Sequence, residues 1–168
     1  MFAQAAGTGV ADIQHELILF SLDDQKYGLD LYSVQRVVRI IEITPLPDAP
    51  ETILGVFNLE GTIIPVIDTR RLLNLPPRET ELSDQLVIMD LPGRVLALVV
   101  DAVPGVITFR EEENIAVGTI LPGIKHITGI LKGDEELIFI NDLVQLLSSA
   151  QDRALQKALD CLPEQPQG

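Results

Sequence analysis

The chain has 168 residues, 46 % of them hydrophobic, 4 % aromatic and none tryptophan, which suffices for one domain or two small packed ones with a core of branched, strand-favouring aliphatics. Its net charge of −13 repels phosphate backbones and anionic lipid, which sets aside nucleic acid and membrane surfaces and favours protein partners carrying basic patches. A single cysteine, Cys161, excludes an intramolecular disulfide and fits the reducing cytoplasm, and no run approaches the roughly 18 apolar residues of a membrane span.

Residues 1–15 are small and polar, lack the pattern of a leader peptide, and read as a flexible tail. From Glu16, ELILFSLDDQKYGLDL predicts a hairpin turning at Asp23-Asp24-Gln25-Lys26, with Gly28 at a bulge. Val34, Val37 and Val38 lie at helical spacing, so Tyr32 to Arg39 reads as a short helix or helical turn. The prolines of TPLPDAPE bar a helix or a central strand, and Leu59-Glu60-Gly61-Thr62 is a turn between strands. Asp68 is an N-cap for a helical turn burying Leu72 and Leu73, which Pro76 and Pro77 end. LPPRETELSD reads as a join, and QLVIMDLPGRVLALVVDAV as a second hairpin turning at Pro92-Gly93. Residues 150–168 carry Leu155, Leu159 and Leu162 at helical spacing before Pro163, a short amphipathic C-terminal helix and tail.

The pattern repeats. Leu17 to Leu22 resembles Leu86 to Leu91 at an offset of 69 residues, and Gly55 to Leu73 aligns without gaps to Gly129 to Leu147 at an offset of 74. Two similarities in one order at nearly one offset predict two related β-rich halves, about 16–75 and 84–149. Turns every few residues, with no long amphipathic helices between strands, predict closed antiparallel sheets and so two small barrels. Pro65 inside IIPVI is expected at a sheet edge or bulge.

Catalytic chemistry finds little support. His15 and His126 are the only histidines, and no metal-ligand spacing, phosphate-binding glycine loop or nucleophile elbow occurs, so neither a metal nor another cofactor is expected. The runs Asp23-Asp24, Glu111-Glu112-Glu113 and Asp134-Glu135-Glu136 read as solvated turns.

The segment Gly55 to Arg70, GVFNLEGTIIPVIDTR, resembles the signature of the CheW family, Gly-Val-x-Asn-Leu-Arg-Gly-x-x-x-Pro-Val-x-Asp-Leu-Arg. FSLDDQKYGLDLYSVQRVV, TPLPDAPETILGV and LVVDAVPGVI resemble flanking family elements in order, so the likeness spans Glu16 to Ser149. It implies an all-β domain at 16–149: two SH3-like five-stranded barrels sharing a core, with short helices. It also implies a cytoplasmic, non-enzymatic adapter, a monomer when free, that couples a methyl-accepting chemoreceptor to the regulatory domain of a CheA-type histidine kinase. By the same resemblance Val34, Gly55, Asn58, Glu60, Ala97 and Val106 face the receptor, and Arg36, Val38, Arg39, Ile40 and Leu46 face the kinase.

Two positions depart from the family. Where it carries glutamate in its Val-x-Glu-Val element and arginine in Asn-Leu-Arg-Gly, this chain has Arg36 and Glu60. Exchange of both charges preserves an opposite pair if the two meet, and it alters what a partner meets, as in an adapter dedicated to a non-flagellar array controlling surface motility or a second messenger. A small-ligand-binding β-barrel is the rival reading, although barrels this small are filled by their own side chains.

Overall fold

The computed structural model describes residues 13–116 and 127–142. Their strands are β1 (Gln14–Leu22), β2 (Gln25–Asp30), β3 (Val34–Arg39), β4 (Ile53–Leu59), β5 (Thr62–Ile67), β6 (Gln85–Leu91), β7 (Arg94–Val100), β8 (Ala102–Arg110), β9 (Ile115–Ala116), β10 (Ile127–Lys132) and β11 (Leu137–Asn141), with one short helix, α1 (Thr69–Leu72). One sheet has the order β8-β1-β2-β11-β10-β9 and the other β3-β6-β7-β5-β4. Most of the expected N-terminal tail, His126, the aligned Leu146 and Leu147, and the expected C-terminal helix with Cys161 lie outside the described residues; Gln14 and His15, counted in that tail, open β1.

The repeat extends to the register. In β4–β5, Ile53 pairs with Ile67 and Gly55 with Val66 across a bulge; in β10–β11, Ile127 pairs with Asn141 and Gly129 with Ile140 across another. Each pair is displaced by the same 74 residues that relate the sequences. The sheets nonetheless do not follow the division at 75–84. The hairpin β1–β2 joins β8 to β11, and β6–β7 joins β3 to β5. The joins are parallel, β2 to β11 and β7 to β5, and a parallel neighbour cannot come from an adjoining hairpin. The sheet holding β9 has six strands rather than five, the sixth being only two residues long.

Period-two alternation builds the cores. Along β6 and β7, Val87, Met89, Leu96, Leu98 and Val100 enter one cluster, and Leu86, Ile88, Ala97 and Val99 enter another. On β1, Ile18, Phe20 and Leu22 join the first cluster while Leu17 and Leu19 join a third. The first cluster therefore draws on both sheets, and each remaining cluster lies on the other face of one sheet. Both faces of these strands are buried, which is why they read as continuous apolar runs.

Three expectations change. Tyr32 to Arg39 is not a helix: one 3-10 turn at Leu31–Ser33, closed by the Asp30 carboxylate accepting from the Tyr32 N–H at 3.1 Å, leads into strand β3. A bulge between Val34 and Arg36 puts Val34 and Val37 on the shared core and leaves Val38 to the other cluster, so a bulged strand produced the i, i+3 spacing. Gly28 is in regular register with Leu19, and a Cβ there would lie 2.8 Å from Leu17 Cδ1, so it serves close packing rather than a bulge. Pro65 occupies a central strand, opposite Val56. Val56 spends both its N–H and its carbonyl on Thr44, and the pairing of β5 with β7 covers Val66 and Ile67. No ladder bond is asked of Pro65.

Candidate interaction surface

The signature segment folds as the β4–β5 hairpin and the cap of α1. At its base Gly55 has φ +153° and is packed so closely on Thr44 and Ile43 that a Cβ would fall inside the Thr44 carbonyl. It is buried and shapes the backbone, so a receptor-facing role for it does not fit. At the tip, Glu60 and Gly61 have φ of 53° and 91°, the double positive φ of a tight hairpin turn. Asn58 Oδ1 accepts the Gly61 N–H at 2.8 Å.

Arg36, on β3, reaches this tip: its Nη2 donates to Glu60 Oε2 at 3.2 Å. The exchanged charges do meet. The Glu60 side chain is 75 % exposed, so the pair contributes about 0.5 kcal/mol to folding and its consequence lies in the charge pattern it displays. Asn58, Arg36 and Glu60 thus form one exposed group. Arg39 is exposed on the same strand, and Val38 and Ile40 are half-buried against the barrel core. Val34 is half-buried on the shared core, and Val106 is half exposed on β8, the edge of the other sheet.

Ala97 and Leu46 do not belong to this surface. Ala97 has no exposed area and packs within a barrel core; Leu46 lies in the shared core. A strand buried on both faces leaves its small residue nothing to present, and the proline-bounded Leu46 plugs inward as the apolar residue of its loop.

The sequence reading missed the polar centre of the molecule. Asp68 caps α1, accepting from the Arg71 N–H. The next residue but one, Arg70, is 5 % exposed and donates to Asp101 at 2.7 Å and Asp23 at 3.0 Å. Arg78 donates to Asp101 at 2.5 Å and to the buried Asp84 at 2.9 Å, while the Asp23 N–H donates to Asp101 at 2.6 Å. The cluster ties the β1–β2 turn to α1, the join and the β7–β8 corner, and so to both sheets. Burial alone would lower the Arg70 pKa, but the bonds to Asp101 and Asp23 outweigh it and raise it; the same balance raises Arg78. Burial alone would raise the Asp101 pKa, but Arg70, the Asp23 N–H and Arg78 hold it below its ordinary value. The available signals were an Arg-Arg pair, Arg70 and Arg71, directly before a buried Leu-Leu pair and an aspartate ending the apolar run LALVV.

Among the described residues no helix is long and apolar enough to cross a membrane. Residues 16–151 match the CheW-like domain. The chain belongs to the CheW-like family. A chemotaxis protein CheW of Treponema pallidum is 28 % identical over 148 residues, spanning 84 % of this chain and 87 % of that protein. The protein FrzA of Myxococcus xanthus is also 28 % identical, over 86 % of this chain and 92 % of its own. The crystal structure of the scaffolding protein TtCheW from Thermoanaerobacter tengcongensis superposes with a TM-score of 0.73 at 32 % identity, covering 83 % of this chain and 96 % of that one. The CheW-like chain accordingly has the architecture of two SH3-like barrels and is a chemotaxis scaffold or adapter.

Proposed function

We propose that this CheW-like chain works in the cytoplasm, without catalysing a reaction, by joining the tip of a methyl-accepting chemoreceptor to the regulatory domain of a CheA-type histidine kinase. The observation that carries this reading is where the signature segment leads. It ends in an exposed hairpin tip, Asn58 to Gly61, beside Arg36. Asn58, Glu60, Val34 and Val106 are assigned to the receptor. Arg36, Val38, Arg39 and Ile40 are assigned to the kinase.

The exchanged Arg36 and Glu60 favour a partner different from that of family members with the opposite polarity, because a partner aspartate set for arginine at the tip would meet a carboxylate. This supports an adapter dedicated to one array.

The test is calorimetric titration of the purified chain with the isolated regulatory domain of each CheA-type kinase of the same organism, at low and high salt. Saturable binding to one of them is expected. A folded chain that binds none of them overturns the kinase assignment.

A further inference from the structure

Leu82 is 92 % exposed, the most exposed large apolar side chain among the described residues. It sits in the join at 75–84, which carries no part of the signature. Such a side chain on a floppy loop would mean little. This one stands on a hydrogen-bonded turn. Leu82 and Ser83 are the central residues of a tight turn closed by the Asp84 N–H donating to the Glu81 carbonyl at 2.9 Å. The Asp84 carboxylate, 2 % exposed, accepts the Glu81 N–H at 2.8 Å and the Arg78 guanidinium at 2.9 Å. Arg78 in turn binds Glu81 at 2.7 Å and Asp101 at 2.5 Å. The backbone of the turn is thus fixed from below by the polar centre of the fold, and a backbone ordered beforehand lowers the entropy lost when its side chain binds.

Leu82 also has apolar company. With Ile40, Ile41 and Ile43 it lines a groove of about 520 Å³ whose rim carries Glu42 and Glu81. Ile41 is itself 41 % exposed. The groove continues β3 past its last residue, Arg39, because Arg39 pairs with Gln85 and the following Ile40 N–H donates to the Asp84 carbonyl at 3.1 Å.

We infer that Leu82, with Ile41, is an anchor for the kinase regulatory domain, entering an apolar pocket whose border carries basic side chains facing Glu42 and Glu81. The inference rests on the kinase assignment above and adds residues from a different part of the chain. Charge selects the occupant: the rim is acidic, and a net charge of −13 disfavours a second copy of the chain.

The experiment titrates the full chain and its Leu82→Ala and Leu137→Ala variants with the regulatory domain, alongside thermal melts and sedimentation. Leu137, exposed on β11 of the other sheet, controls for general stickiness. Leu82→Ala is expected to weaken binding about 10- to 100-fold, the value of burying one leucine, with Tm within about 1 °C of the parent; Leu137→Ala is expected to bind as the parent does. Parent-like binding by Leu82→Ala overturns the inference and leaves the kinase assignment standing. A fall of several degrees in its Tm shows that another part of the same chain covers the leucine, and also overturns it. So does equal weakening by Leu137→Ala, or a concentration-dependent dimer that Leu82→Ala abolishes while kinase binding persists. Failure of the parent chain itself to bind removes the assignment and the inference together.

Discussion

Replacing Arg70 by leucine tests whether the polar centre holds the two sheets together. The guanidinium makes two charged hydrogen bonds of unequal worth. The one to Asp23 meets a side chain 68 % exposed, and solvent screening leaves it worth a few tenths of a kcal/mol. The one to Asp101 is 2.7 Å long between groups 5 % and 22 % exposed, the setting in which charged hydrogen bonds are worth about 1.5–3 kcal/mol. Asp101 keeps Arg78 and the Asp23 N–H, so its charge is not stranded and the full penalty of a broken buried pair, about 3–5 kcal/mol, does not apply. The expected loss is about 2–3 kcal/mol, equivalent to a Tm lower by about 5–10 °C for a chain of this length. Urea denaturation of the parent, Arg70→Leu, Asp101→Asn and the double variant would measure it. The cycle should show a coupling of at least about 1 kcal/mol. An Arg70→Leu variant as stable as the parent, or strictly additive losses, would refute the reasoning.

Acid should act through the same cluster. The Asp101 pKa in the fold lies below its ordinary 3.8, so its contribution is complete above that value and is lost as pH falls through the lower folded value. Asp101→Asn should flatten the acid limb of a stability–pH curve, and an unchanged limb would contradict this. Gly55→Ala should cost about 3 kcal/mol, because both a positive φ and a rigid backbone carbonyl oppose the methyl. The register-equivalent Gly129→Ala should cost only about 1 kcal/mol, because the atoms it meets belong to the Asn114 side chain, which can rotate; chemical denaturation of the two variants gives the comparison. Glu60→Arg should leave stability within about 0.5 kcal/mol yet weaken partner binding, with Arg36→Glu in the same chain restoring it; calorimetry showing additive losses would exclude a joint role.

Much was legible in the sequence because it depends on near neighbours. The turns at Asp23, Gly61 and Gly93, the cap at Asp68 and the strand character of the apolar runs follow from local propensity and period. The offset of 74 residues was legible because the two hairpins bulge at matching places, and the meeting of Arg36 with Glu60 because two charges had been exchanged together. Other features were settled only by tertiary structure. Val34 and Val37 mimic a helix in sequence, and pairing with β6 reveals a bulged strand. Pro65 sits mid-sheet because Thr44, distant in sequence, takes the Val56 bonds. The exchange of hairpins between sheets, which buries Ala97 and gathers Asp23, Arg70, Arg78, Asp84 and Asp101, arises from parallel pairings between distant segments. Local sequence fixes how a strand turns and which faces are apolar; which strand lies beside it depends on burying those faces together, a property of the whole chain.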